Sequence, residues 1–105
     1  MLNQVVIVDR LRKIIDLGEN NGAVITIENI RPFKNVDGIY ESDFIDVKVF
    51  DGAKSSLIDY CKENDLIGIK GRVQVKEVDG NKVIEIVSDK ITFMSNNVKK
   101  EEENE

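Results

Sequence analysis

Phe44, Lys48 and Phe50 fall on one side of a period-two segment, an arrangement of rings and charge that can hold flat, anionic groups. Within Tyr40–Phe50 the apolar side is Ile45, Val47 and Val49, while Tyr40 and Ser42 share the register of the phenylalanines. A sheet with one dry face should carry polar groups on its wet face. Two rings there offer π-faces for stacking and Lys48 offers a charge for phosphate, which together suit unpaired nucleobases. A second row lies further along the chain. In Leu66–Val78 one side carries Ile67, Ile69, Val73 and Val75, and the other carries Lys70, Arg72, Gln74 and Lys76. That places three cations and an amide along roughly 20 Å of strand. If this row adjoins the phenylalanines, the result is a basic groove paved with aromatics. Such a groove binds single strands without base preference, because cations hold phosphates and rings stack on any base. A plainer account stands beside it: the alternating row is a solvated face, and Phe44 and Phe50 are covered by a helix, the tail or a second subunit.

Other chemistries find little support. The chain has no histidine and one cysteine, so the commonest general base is missing and no zinc site can be built from the usual ligands. The carboxylates show no catalytic spacing, and the reading is a binding protein rather than an enzyme, with no cofactor. A lone cysteine forms no intramolecular disulfide and suits a reducing interior. No apolar run approaches the roughly 18 residues of a membrane span, and Met1 leads directly into a strand-like pattern without a signal peptide. A cytoplasmic location is the expectation. The net charge of −5 is partly the work of Lys99–Glu105, which holds four glutamates and two lysines; residues 1–98 carry −3. Any anion-binding surface must therefore be a local basic face.

At 105 residues there is room for one domain and one modest core. Leu2–Leu11 reads as a first strand, Leu17–Gly22 as a loop, and Ala23–Ile30 as a second strand. Arg31–Gly38 reads as a turn-rich link, since Pro32 and Asp37-Gly38 break pairing. Tyr40–Phe50 is the third strand. Asp51-Gly52 gives a turn and a candidate cap for a helix whose apolar side is Ala53, Leu57, Ile58 and Cys61, stopping near Asn64-Asp65. Leu66–Val78 and Val83–Phe93 are the fourth and fifth strands, joined by the hairpin turn Asp79-Gly80-Asn81. Gly68 and Gly71 mark bends of a barrel, and Cys61 is a small buried apolar group. From Ser95 no apolar periodicity remains, so residues 1–94 form the domain and 95–105 a disordered acidic tail. Five strands with one helix between the third and fourth match the all-β OB-fold barrel, which commonly faces nucleic acid with its second and third strands. Periodicity leaves the orientation of Phe33 open, because Pro32 resets the phase.

Four stretches carry a resemblance to a known family. Met1–Leu11 (MLNQVVIVDRL), Arg31–Phe50 (RPFKNVDGIYESDFIDVKVF), Tyr60–Arg72 and Glu85–Phe93 (EIVSDKITF) are collinear with the bacterial single-stranded DNA-binding proteins over residues 1–94. The resemblance implies an OB-fold homo-oligomer, usually a tetramer with a dimer as the other possibility. Single-stranded DNA would wrap around it during replication, recombination or repair. It places Phe33, Phe44 and Phe50 at stacking positions and makes Arg31, Lys34, Lys48, Lys70, Arg72 and Lys76 phosphate contacts. The chain departs from the family pattern in five places. Val78 stands where an aromatic is common, the hairpin Val78–Lys82 is short, Asp9 replaces a glycine, the loop before Ala23 is shortened, and the acidic tail lacks an apolar closing residue. Recruitment of protein partners through that tail is therefore not expected. Two other readings compete: an OB-fold accessory subunit of the primosomal kind, and an interaction domain with Phe44 and Phe50 buried between subunits.

Overall fold

Branched aliphatic residues alternating with polar ones build five strands, β1 (Val5–Asp16), β2 (Ala23–Lys34), β3 (Tyr40–Val49), β4 (Leu66–Val78) and β5 (Asn81–Phe93), with one helix, α1 (Asp51–Tyr60), between β3 and β4. This computed structural model describes residues 1–94, and the acidic tail expected from residue 95 lies outside them. The strands close into a barrel in the order β1-β2-β3-β5-β4. All pairs are antiparallel except β3 with β5, whose parallel contact seals the barrel at Val47 opposite Ile86 and Lys48 opposite Val87. This is the OB-fold expected from the order of elements.

Inside the barrel, Leu11, Ile25, Ile27, Val47, Val49, Ile67 and Ile69 are fully buried, and Leu57 of α1 closes one end. Each such side chain stabilises the fold by about 1.5–3 kcal/mol relative to exposure. Cys61 belongs to the same cluster. Burial, with the charge of Asp65 adding to it, pushes its thiol up to about 11, so it behaves as an inert apolar group.

Several boundaries differ from the sequence expectation for physical reasons. β1 starts at Val5 and runs on to Asp16, because its first half pairs with β4 and its second half with β2, with a register shift between Leu11 and Lys13. β2 continues through Pro32 to Lys34 instead of ending at Ile30. A register shift between Ile30 and Lys34 accommodates the proline, and the Ile30 N–H is taken by Asp9 Oδ2 at 2.9 Å. α1 ends at Tyr60, short of Asn64-Asp65, and its N-cap is Phe50, with Asp51 and Gly52 already helical. Ile58, expected on the buried side, is 47% exposed, while Lys54 is buried. Val75, assigned to the inner side, is 59% exposed, because the β4–β5 hairpin projects beyond the barrel. β5 begins at Asn81, two residues early. The turn before it has Asp79 at φ 53° and Gly80 at φ 82°, the left-handed pair that a tight hairpin needs.

Candidate nucleic-acid interface

Strand register assembles the outer face of the barrel row by row. On β3, Phe44 lies opposite Glu28, Asp46 opposite Thr26, and Lys48 opposite Val24. On the far side Lys48 is in register with Val87 of β5, which is in register with Arg72 of β4. Gln74 pairs with Glu85 and Lys76 with Val83. The row of β4 therefore reaches the row of β3 across one intervening strand. Lys70 does not join it. Its neighbours are Val6 of β1 and Lys90 of β5, on another part of the outer surface.

The three phenylalanines are all open to solvent: Phe33 is 69% exposed, Phe44 64% and Phe50 51%. Phe33 stands in the register-shifted end of β2, and Phe50 stands just past β3 where α1 begins. Among the described residues no helix or strand covers them. Near Phe33, Lys34 Nζ lies 5.7 Å from the centre of the Tyr40 ring, within range of a cation–π contact.

Three of the six predicted cations, Arg31, Arg72 and Lys76, face carboxylates. Arg31 donates from Nε to Asp43 Oδ2 at 3.1 Å and from Nη2 to Asp43 Oδ1 at 2.9 Å, with Glu41 at 3.2 Å. Hydrogen bonding to Asp43 raises the guanidinium's pKa and holds the Asp43 carboxyl below its ordinary range. Arg72 pairs with Asp89 at 2.7 Å and Lys76 with Glu85 at 3.2 Å. Gln74 Nε2 donates to Glu85 Oε1 at 2.9 Å. That bond, with Lys76 and the charge of Lys48, keeps Glu85 below its ordinary range although burial pulls the other way. Lys48 itself forms no ion pair among the described residues, which leaves its ammonium free for an incoming anion.

Two groups of residues on this face were missed by sequence reasoning. Asp46 lies between Phe44 and Lys48 in the same period-two register, a carboxylate that the pattern of rings and cations does not bring out. Arg10 and Lys13 of β1 lie opposite Glu28 and Thr26, so β1 also contributes cations to the outer surface. Their signal was the same alternation, hidden by the register shift after Leu11.

Comparison with known proteins agrees with this architecture. The model of the Single-strand binding protein family matches residues 2–94. A single-stranded DNA-binding protein of Oceanobacillus iheyensis is 35% identical over 103 aligned positions, covering 90% of this chain; the chain spans 64% of that relative's length. Single-stranded DNA-binding protein B of Bacillus subtilis is 30% identical, with 90% of this chain and 91% of the relative covered. Among solved structures, a small single-stranded DNA binding protein from Mycoplasma pneumoniae superposes with a TM-score of 0.69 at 19% identity, covering 90% of this chain and 96% of that one. The mitochondrial single-stranded DNA binding protein Rim1 of S. cerevisiae gives 0.62 at 15%, covering 87% and 91%. These two structures share the fold.

Proposed function

The chain belongs to the single-strand binding protein family, and from that premise we propose that it binds and protects single-stranded DNA during replication, recombination or repair. Exposed Phe44 and Phe50 on either side of the unpaired Lys48 carry this reading. Bases stack on Phe33, Phe44 and Phe50, while Lys48 with nearby Arg72 and Lys76, and Arg31 and Lys34 towards the far end of the β2–β3 hairpin, hold phosphates and Gln74 adds a neutral polar contact. Lys70 contacts the strand only where it passes round the barrel towards β1. The chemistry is binding, with no bond made or broken.

Self-association belongs to the same proposal. Val6, Val8 and Met94 are exposed around Gly68, an apolar patch edged by Lys70 that a second copy can cover while Lys70 stays at its rim. Joining several binding faces raises affinity through effective concentration, which compensates for the stacking position occupied by Val78. We place the activity in the cytoplasm; among the described residues no helix is long and apolar enough to cross a membrane. Titration of labelled oligo-dT of increasing length, followed by anisotropy and light scattering, tests the reading. Saturable binding that weakens steeply with salt supports it, and binding that is absent or indifferent to salt removes it.

A further inference from the structure

Between the β2–β3 surface and the β4–β5 hairpin lies an open cavity of about 250 Å³. Pockets for drug-sized ligands begin near roughly 300 Å³, so this one has the scale of a single base ring. Val24, Val83 and Ile84 give it apolar walls. Asp46 and Glu85 supply carboxylates, and Lys48 and Lys76 complete the lining.

The two carboxylates are not equivalent. Glu85 has Oε1 taken by Gln74 and Oε2 by Lys76, so it serves its own strands. Asp46 accepts from Thr26 Oγ1 at 2.7 Å through Oδ1, which fixes its orientation, while Oδ2 accepts no hydrogen bond among the described residues. A carboxylate repels phosphate, so the backbone of a strand crossing here must keep to the lysines and leave a base over Asp46. An ionised carboxylate only accepts. Cytosine presents an amine at the position where thymine presents a carbonyl oxygen, and acidic side chains read that amine.

We infer that the cavity is a subsite for one amino-bearing pyrimidine, cytosine, with Asp46 Oδ2 accepting from its exocyclic amine. The inference rests on the single-strand reading above and sharpens it, since binding is then not indifferent to base. Thr26 acts as a positioning residue, holding Asp46 in place.

Competition anisotropy with oligo-dC and oligo-dT of equal length, at pH 8 and one salt concentration, tests this on the full chain. The parent protein binds oligo-dC at least about fivefold more tightly than oligo-dT. Asp46→Asn offers thymine a donor as well as an acceptor and brings the ratio close to one. Thr26→Val lowers the ratio part of the way. Removing a negative charge changes both affinities, so the ratio is the readout. A parent ratio at or below one overturns the subsite, as does a ratio that Asp46→Asn leaves unchanged. If neither oligonucleotide binds, the single-strand reading falls with it; if both bind equally, only the subsite falls.

Discussion

Arg31 and Asp43 face each other across the β2–β3 hairpin as a two-bond fork, Nε to Oδ2 at 3.1 Å and Nη2 to Oδ1 at 2.9 Å. The geometry is the one a guanidinium offers to phosphate, and here a carboxylate of the same chain occupies it. Glu41 adds a second negative charge to the same cation. An incoming phosphate must displace these groups, so Arg31 contributes less than an unpaired cation such as Lys48. Replacing both carboxylates, Glu41→Gln with Asp43→Asn, is expected to tighten oligo-dT binding several-fold. Lys48→Ala is expected to lower the slope of log K against log salt by roughly 0.7, and Arg31→Ala by less than that. Equal slopes for the two alanine variants, with no gain from the double replacement, would show that the internal pair does not compete with DNA.

Phe44 and Phe50 are the rings to remove first. Each is exposed and neither belongs to the buried cluster, so truncation leaves the barrel intact. Loss of a base–aromatic stack costs about 1–3 kcal/mol, and Phe44→Ala and Phe50→Ala should each weaken oligo-dT binding by that amount with an unchanged melting temperature. Unaltered affinity in the double variant would take both rings out of the interface. A dimer that dissociates on the same substitutions would place them between subunits instead.

The face of β3 was legible because its alternation is unbroken from Phe44 to Val49, and its pattern alone separates Val47 and Val49 from Phe44 and Lys48. The adjacency of Lys48 and Arg72 was not legible. It depends on Val87 standing between them, and the order of strands along the chain does not say that β5 inserts between β3 and β4. Pro32 predicts a strand end, whereas Asp9, distant in sequence, holds the Ile30 amide and lets β2 resume after a shift. Phe33 shows the same limit: the register shift erased its periodicity, and the family resemblance supplied the position. Lys54 was invisible as an interior group because both of its strongest partners, Asp16 and Gly18, precede it by more than thirty residues.

Gly71 tests whether the row through Lys48, Val87 and Arg72 has to be held in place. A Cβ there would stand 2.1 Å from the Val87 carbonyl oxygen, a backbone atom that cannot swing aside. The register of β4 with β5 shifts at this same point, between Lys70 and Gly71. Gly71→Ala should therefore force the strands apart and destabilise the fold by about 1–3 kcal/mol, measured by urea unfolding. Gly80→Asn, at the hairpin tip where a Cβ meets nothing within 4 Å, is the comparison and should cost less. Equal stability of Gly71→Ala and the parent would mean that the two strands have slack at the shift.

Lys54 fastens the start of α1 to the end of β1. Its ammonium donates to Asp16 Oδ1 at 2.8 Å and to the Gly18 carbonyl at 2.7 Å, with Asp51 Oδ1 at 3.2 Å. The hydrogen bond from Lys54, then that from the Gly18 N–H, holds the Asp16 carboxyl below its ordinary 3.8. The bond to Asp16 lifts Lys54 above its ordinary 10.5 against the opposing pull of desolvation. A carboxyl with a lowered pKa stabilises the fold above its ordinary value and loses that contribution as pH falls through its lowered one. An ammonium with a raised pKa stabilises below its ordinary value and loses that contribution as pH rises through its raised one. The pair is thus fully effective between 3.8 and 10.5. Lys54→Met keeps the apolar stem and removes the charge, so its melting temperature at pH 7 should lie below the parent's. Below pH 3.8 the gap should narrow as Asp16 takes up its proton in the parent. A gap of constant size from pH 7 down to pH 2 would assign the role of Lys54 to packing of its methylenes rather than to its charge.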